Sequence, residues 1–122
     1  MKKVLVIDDD RVFLRMYEMN FAFYKKEVEC ITANGGREGI EKALAEHPDL
    51  IMLDYNMPVC GGAEVSQTLK NDPRTRDIPI VLITSHVTET TAEGAIYDMF
   101  LPKPINDAKL KQVLQKFLGM AA

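Results

Sequence analysis

The sequence predicts an α/β domain in which a mostly parallel sheet lies between two layers of helices. Three short apolar runs, at residues 4–7, 50–53 and 80–83, are rich in β-branched and bulky residues and show no alternation with polar ones. Such runs are typical of strands buried on both faces, as in a parallel sheet that helices cover on each side. Segments with helical spacing of apolar residues lie between the runs, so strand and helix alternate along the chain.

The first half of the chain is predicted to contain two strand–helix units. After the strand at residues 4–7, Asp10 is placed to cap a helix. The apolar residues of this helix recur at helical spacing and are Phe13, Met16, Tyr17, Phe21 and Tyr24. Residues 28–33 are a weaker strand candidate, and the turn at residues 34–36 begins a second helix, which Pro48 ends.

The second half of the chain continues this alternation. A third helix, at about residues 63–70, ends before Pro73, because the residue that precedes a proline is disfavoured in a helix. The weakest helix candidate, residues 88–96, precedes a weaker strand candidate at residues 99–101. The last helix has the clearest apolar stripe, which consists of Leu110, Val113, Leu114, Phe117 and Leu118. Residues 1–122 are therefore expected to form one domain.

Composition and charge exclude several classes of protein. Hydrophobic residues make up 47% of the chain and charged residues 27%, which is ordinary for a globular protein and argues against disorder. The net charge of −3 provides no basic surface for nucleic acid, and we expect no direct nucleic-acid partner. No apolar run is long enough for a signal peptide or a membrane span, so a cytoplasmic protein without a membrane partner is expected. Cys30 and Cys60 are accordingly expected to be free thiols.

Polar residues follow the predicted strands at the edge where parallel α/β sheets bind ligands. These residues are Asp8, Asp9 and Asp10 after the first strand, Asp54 after the third, Thr84 after the fourth and Lys103 after the fifth. Clustered carboxylates repel one another and are costly to bury, so the group indicates a bound divalent cation. Oxygen ligands favour Mg²⁺ or Mn²⁺, and zinc is disfavoured because no His or Cys stands at ligand spacing.

A carboxylate beside such a metal ion can attack phosphorus and form an acyl phosphate. Phosphoryl transfer depends mainly on positioning and on charge neutralisation, which Lys103 and Thr84 would supply. Each residue taken alone has an ordinary explanation, since aspartates occur in turns, threonines in strands and lysines on solvated surfaces. The order acid, acid, hydroxyl and lysine at successive strand ends nevertheless favours a phosphoryl-transfer site.

Over nearly its whole length the sequence resembles the receiver domains of two-component response regulators, in particular single-domain chemotaxis-type regulators. The motifs that carry the resemblance are Val4-Leu5-Val6-Ile7-Asp8-Asp9-Asp10, Leu53-Asp54-Tyr55-Asn56-Met57-Pro58, Gly62, Ile83-Thr84-Ser85 and Phe100-Leu101-Pro102-Lys103-Pro104. The resemblance implies a flavodoxin-like, doubly wound (βα)5 three-layer sandwich. It also implies a five-stranded parallel sheet in the order 2-1-3-4-5, which comes from the family and not from residue spacing.

By resemblance, this would be a phosphorelay switch and not an enzyme, catalysing only its own phosphorylation and dephosphorylation. Asp54 would accept a phosphoryl group from the phosphohistidine of a sensor histidine kinase or a histidine phosphotransfer protein. Mg²⁺ or Mn²⁺ would be bound by Asp8, Asp9 and Asp54, together with the backbone carbonyl of Asn56. Lys103 would contact the phosphoryl oxygens.

The resemblance further implies how the switch works. Thr84 would be the hydroxyl that moves toward the phosphoryl group, and Phe100 the aromatic residue that turns inward behind it. The side chains of Asn56 and His86 would tune hydrolysis, although an exposed loop histidine without a role explains His86 equally well. Phosphorylation would change the face formed by the family's fourth helix, fifth strand and fifth helix, where a downstream effector could bind, and dephosphorylation would reset it.

Three local features of the sequence lead to structural expectations. The peptide bond between Lys103 and Pro104 is expected to be cis, as is usual at this step in the family. The interval from Thr84 to Lys103 is a few residues shorter than in typical members, so the helix within it is expected to be short or irregular. A proline at position 102 is tolerated if the fifth strand lies at the sheet edge.

Two other functions remain open at this point. The residues Asp8-Asp9-Asp10-Arg11-Val12 fit the Asp-x-Asp-x-Val pattern of haloacid-dehalogenase-type phosphohydrolases, with Asp8 as nucleophile and Asp10 as acid/base. That reading leaves Asp54 without a role, and the chain has no cap segment or late acidic motif. The third possibility is a receiver-like binding module that is never phosphorylated.

Overall fold

The computed structural model describes residues 1–57, 60–85 and 94–120, and it alternates strands and helices as the sequence predicts. The strands are β1 (Lys2–Asp8), β2 (Val28–Asn34), β3 (Leu50–Asp54), β4 (Ile80–Thr84) and β5 (Met99–Pro102). The α-helices within the described residues are α1 (Arg11–Phe21), α2 (Gly36–Glu46), α3 (Gly62–Asn71) and α4 (Asp107–Leu118), and a short 3₁₀-helix (Ala22–Tyr24) follows α1. The helix predicted at residues 88–96 falls largely outside the described residues.

All five strands run parallel in one sheet, in the order β2-β1-β3-β4-β5. This is the order that the family resemblance implies. Among the described residues, strand β5 pairs with β4 alone and forms one edge of the sheet, so Pro102 lies where a missing ladder donor is tolerated.

Two hydrophobic clusters fill the space on either side of the sheet. Alternate side chains of a strand point to opposite faces, so Val4 and Val6 of β1 pack toward α1 and α4. Leu5 and Ile7 pack toward α2 and α3 in the other cluster. Every residue of β3 and β4 is buried, which explains their uninterrupted apolar sequence. Each large aliphatic side chain buried in this way contributes about 1.5–3 kcal/mol to stability.

Helix α1 begins as predicted but buries a slightly different stripe. The Asp10 side chain accepts a hydrogen bond from the Val12 backbone N–H at 2.9 Å, which caps the helix. The side chains buried against the sheet are those of Leu14, Tyr17 and Phe21. Met16 was predicted to belong to the apolar face, yet its side chain is 42% exposed because it lies to one side of the 14–17–21 line.

Helix α3 starts so close to the end of β3 that its first residue has no room for a side chain. A Cβ atom on Gly62 would lie 2.6 Å from the Tyr55 Cα and 2.8 Å from the Asp54 carbonyl oxygen. Both atoms belong to the backbone and cannot rotate away. We therefore expect Gly62→Ala to lower the free energy of unfolding by about 1–3 kcal/mol, measured by urea denaturation.

Gly61→Ala is the matched control for this prediction. Its added Cβ would lie 3.5 Å from the Met57 carbonyl oxygen, an ordinary van der Waals distance. Gly61 also has an extended backbone with φ of −72°, which alanine adopts readily. If the two variants proved equally stable, the close approach of α3 to β3 would not limit the residue at position 62.

Candidate functional site

The predicted site residues meet at the carboxyl edge of the sheet. Asp8, Asp54 and Thr84 are the last residues of β1, β3 and β4, and Lys103 directly follows β5. Because the strands are parallel and adjacent, their carboxyl ends lie together, at the edge where such sheets bind ligands. Four residues that are distant in sequence are thus brought to one place.

Three carboxylates form the centre of the site. One oxygen from each of Asp8, Asp9 and Asp54 lies within 4.8 Å of the other two. Asp8 and Asp54 are buried, at 1% and 4% exposure, whereas Asp9 is exposed. The ammonium Nζ of Lys103 lies 2.9 Å from Asp8 Oδ2 and 3.5 Å from Asp54 Oδ2. One lysine balances only one of three negative charges, so the site as a whole attracts a further cation.

The surroundings of Asp54 shift the pKa of its carboxyl group. Burial, followed by the charge of Asp8, raises the pKa of Asp54 to about 7, although Lys103 and the Asn56 backbone N–H act in the opposite direction. Asp54 Oδ1 is buried and has no hydrogen-bond partner among the described residues. A buried carboxylate oxygen without a donor, beside two further carboxylates, fits a hard divalent cation such as Mg²⁺.

Asp8 differs from Asp54 because both of its carboxylate oxygens are engaged. Asp8 Oδ1 accepts a hydrogen bond from the Asp10 backbone N–H at 2.9 Å, and Oδ2 pairs with Lys103. The Asp8 backbone carbonyl accepts from the Gly35 N–H at 3.0 Å. Asp8 is therefore held as an orienting group, and this disfavours it as a nucleophile.

Lys103 is held from several sides, and its side chain is only 10% exposed. The Lys103 backbone N–H donates to the Thr84 carbonyl oxygen at 2.7 Å, which continues the pairing of β4 with β5. The peptide bond between Lys103 and Pro104 is cis, as predicted. The ammonium also lies 3.9 Å from the centroid of the Phe13 ring. The sequence analysis placed Phe13 only in the apolar stripe of α1. Its position in the first turn of the helix that follows the acidic residues 8–10 was the signal that could have indicated a place at the site.

Three further predicted residues, Thr84, Asn56 and Phe100, lie within the described residues. The fully buried Thr84 hydroxyl donates a hydrogen bond to the side-chain oxygen of the exposed Asn56. Phe100 is half-buried on β5 opposite Leu82 of β4, and its ring centroid lies 5.9 Å from that of Tyr97. His86 lies outside the described residues, so its predicted role stays a prediction.

Comparison with known families identifies the family to which this fold belongs. The family model described as the response regulator receiver domain matches residues 4–115. The chain belongs to this family. As a receiver domain of two-component systems it is a signalling domain, which agrees with the acidic cluster at the carboxyl edge of its sheet.

Curated and solved receiver domains match this one over almost their full length. The polar-differentiation response regulator DivK of Brucella ovis is 27% identical, with 98% of each chain covered. The chemotaxis protein CheY4 of Vibrio cholerae is 28% identical, with a TM-score of 0.85 over 96% of this chain and 98% of its own. The receiver domain of a sensor histidine kinase from Pseudomonas aeruginosa, solved with magnesium in its active-site cleft, has a TM-score of 0.87 at 21% identity and 98% coverage of each chain. Because its identity is low, that last match supports the fold alone.

Two predictions from composition concern this receiver domain as a whole. Cys30 and Cys60 are both free thiols, as predicted. Within the described ranges, no helix combines the length and the apolar character needed to cross a bilayer.

Proposed function

We propose that this receiver domain, residues 1–122, accepts a phosphoryl group on Asp54 from the phosphohistidine of a sensor histidine kinase or a histidine phosphotransfer protein. The observation that carries the proposal is the environment of Asp54. Its buried carboxylate lies 3.5 Å from the Lys103 ammonium, and one of its oxygens has no hydrogen-bond partner in the part of the chain that the structure describes. No other carboxylate of the cluster combines burial with a free oxygen among the described residues. A cytoplasmic location is part of the same proposal.

In the transfer step, a carboxylate oxygen of Asp54 attacks phosphorus. The bond from phosphorus to the imidazole nitrogen breaks, and the electron pair leaves with that nitrogen. Lys103 neutralises charge on the phosphoryl oxygens, and Asp8 holds the ammonium in place through its 2.9 Å contact. The domain thus promotes its own phosphorylation and the later hydrolysis.

Asp8, Asp9 and Asp54, with the backbone carbonyl of Asn56, are the groups that would hold Mg²⁺ or Mn²⁺. A bound divalent ion would neutralise the crowded carboxylates and the incoming phosphoryl oxygens. Burial, followed by the charge of Asp8, raises the pKa of Asp54, and its Oδ1 has no hydrogen-bond partner among the described residues. Both observations support this assignment, because a bound cation would stabilise the ionised carboxylate.

Before phosphorylation, the Thr84 hydroxyl donates a hydrogen bond to the side-chain oxygen of Asn56. On phosphorylation the hydroxyl turns to a phosphoryl oxygen, and Phe100 moves inward behind it. The surface of β5, α4 and the segment before β5 changes as a result, and a downstream effector protein binds there. Asn56 and His86 flank the phosphoryl group and set the rate of the hydrolysis that resets the domain.

The test is to incubate the protein with Mg²⁺ and acetyl phosphate and to locate the modified residue. Borohydride reduces an aspartyl phosphate to homoserine, which peptide mass mapping assigns to one position. Homoserine at position 54, absent when EDTA replaces Mg²⁺, is the expected result. Homoserine at position 8 would instead support the phosphohydrolase chemistry. A folded protein that takes up no phosphoryl group would support the unphosphorylated binding module.

Replacing Lys103 with methionine is expected to slow phosphorylation by acetyl phosphate by roughly 10²–10³-fold, the usual effect of losing one charged group that stabilises a developing anion. Methionine keeps most of the buried stem, so the fold is expected to persist. Initial rates from intact mass measure the effect. Lys109→Met, in the exposed face of α4, is the control and should react at the wild-type rate. A Lys103→Met rate within a few fold of wild type would remove Lys103 from the proposed mechanism.

A further inference from the structure

The Lys103 ammonium has a third partner that is not a carboxylate. Phe13 lies in the first turn of α1, and the ammonium sits 3.9 Å from the centroid of its ring. This separation is well inside the range of about 6 Å within which the negative face of an aromatic ring attracts a cation. The attraction is strongest where water is excluded, and the Lys103 side chain is 90% shielded from solvent.

A neutral aromatic ring can attract the Lys103 ammonium without taking part in the other tasks of the carboxylates. Asp8 and Asp54 both contact the ammonium, but both are also the groups proposed to bind the cation and to accept the phosphoryl group. When their oxygens bind the cation or the phosphoryl group, the two carboxylates interact less strongly with the long, flexible lysine side chain. The ring of Phe13 neither binds a hard cation nor adds negative charge, so its attraction for the ammonium does not depend on how those oxygens are engaged.

The position of Phe13 is itself fixed by the fold. Its half-buried ring packs against the hydrophobic cluster between the sheet and helices α1 and α4. The first turn of α1 is anchored by the Asp10 cap, whose own backbone N–H bonds to Asp8. The ring is thus tied to the same β1–α1 connection that carries the acidic residues.

We propose that Phe13 is a positioning residue for phosphoryl transfer, whose ring face holds the Lys103 ammonium over the site. The inference rests on the proposed function of Asp54. In this role Phe13 acts through Lys103 and makes no contact with the phosphoryl group.

The contact itself is tested first, without any phosphorylation. A lysine methylene beside an ammonium this close to a ring centroid experiences a ring-current shift in its proton resonances. We expect the Lys103 ε-methylene resonances to move upfield in wild type and in Phe13→Tyr, and to return toward ordinary lysine values in Phe13→Leu. Unshifted resonances in the wild type would overturn the inference, whatever the outcome for Asp54.

The consequence is tested by the rate of phosphorylation with acetyl phosphate and Mg²⁺. Phe13→Leu is expected to lower the rate roughly fivefold to thirtyfold, and Phe13→Tyr, which keeps the ring, to restore most of it. Fluorinated phenylalanine at position 13 keeps the ring but draws electron density from its face. The rate is expected to fall with each added fluorine. A rate that is insensitive to fluorination would show that the ring only fills space.

A double-mutant cycle with Lys103→Met separates positioning from general packing. If Phe13 acts through the ammonium, Phe13→Leu has no further effect once Lys103 is methionine. Equal rate losses in both backgrounds would overturn the inference and leave the proposed role of Asp54 intact. Failure of the wild type to form homoserine at position 54 would instead count against the proposed function, and the resonance shifts would still decide whether the ring holds the ammonium.

Discussion

An Asp54→Asn variant is expected to take up no phosphoryl group from acetyl phosphate and Mg²⁺ in the time that the wild type is fully modified. The amide has nearly the size of the carboxylate but is a far weaker nucleophile, because its lone pairs are delocalised and it carries no charge. Asp54 is buried at the end of β3, where the side-chain volume is conserved by this change, so the variant should fold. Intact mass with and without donor measures the effect.

The control for this variant is Asp77→Asn, which makes the same chemical change at an exposed position. It should be phosphorylated like the wild type. Asp8→Asn provides the opposite comparison, since it changes the proposed metal site and the contact with Lys103 while leaving the proposed acceptor, Asp54, in place. A modification that persists in Asp54→Asn but is lost in Asp8→Asn would contradict the proposal and indicate Asp8 as the nucleophile.

In the absence of divalent metal, the wild-type protein is expected to lose stability as the pH rises from about 4 to 7 through the titration of Asp54. Folding raises the pKa of Asp54 from 3.8 to about 7, chiefly by burial and by the charge of Asp8. Between these values the folded state binds more protons than the unfolded state, so the free energy of unfolding falls with pH. One proton gives a slope of at most about 1.4 kcal/mol per pH unit, and this contribution is flat above the folded pKa.

The comparison with Asp54→Asn isolates this group from the other titrating residues. Urea denaturation in EDTA should show the variant to be more stable than wild type at about pH 8. The advantage should shrink toward about pH 4, where Asp54 is protonated in the folded state and the pH approaches the pKa of the unfolded state. Mg²⁺ should stabilise the wild type at the higher pH, because a ligand that binds only the folded state shifts the equilibrium. Parallel pH profiles for the two proteins would show that Asp54 ionises as readily in the folded chain as in the unfolded one.

Much of the fold was predictable because periodicity in the sequence reflects local structure. The strands at β1, β3 and β4 and the stripe of α4 were predicted within a few residues, since continuous apolar runs and helical spacing have few alternatives. The α1 stripe was less well predicted, because Leu14 and Met16 are both apolar and only packing against the sheet decides which is buried. The strand order came from the family resemblance, as residue spacing does not define which strands are neighbours.

The sequence by itself determined which chemical groups stand at the ends of the strands, because parallel strands carry their carboxyl-terminal residues to one edge. Asp8, Asp54, Thr84 and Lys103 could therefore be assigned to one site before any distance was known. Only the tertiary structure decided which partners each of those groups contacts. Asp8 has both carboxylate oxygens engaged and Asp54 does not, and the Lys103 ammonium lies against the ring of Phe13. The contacts of Lys103 join residues that are far apart in the chain, and their geometry follows from packing across the sheet, which no local pattern records.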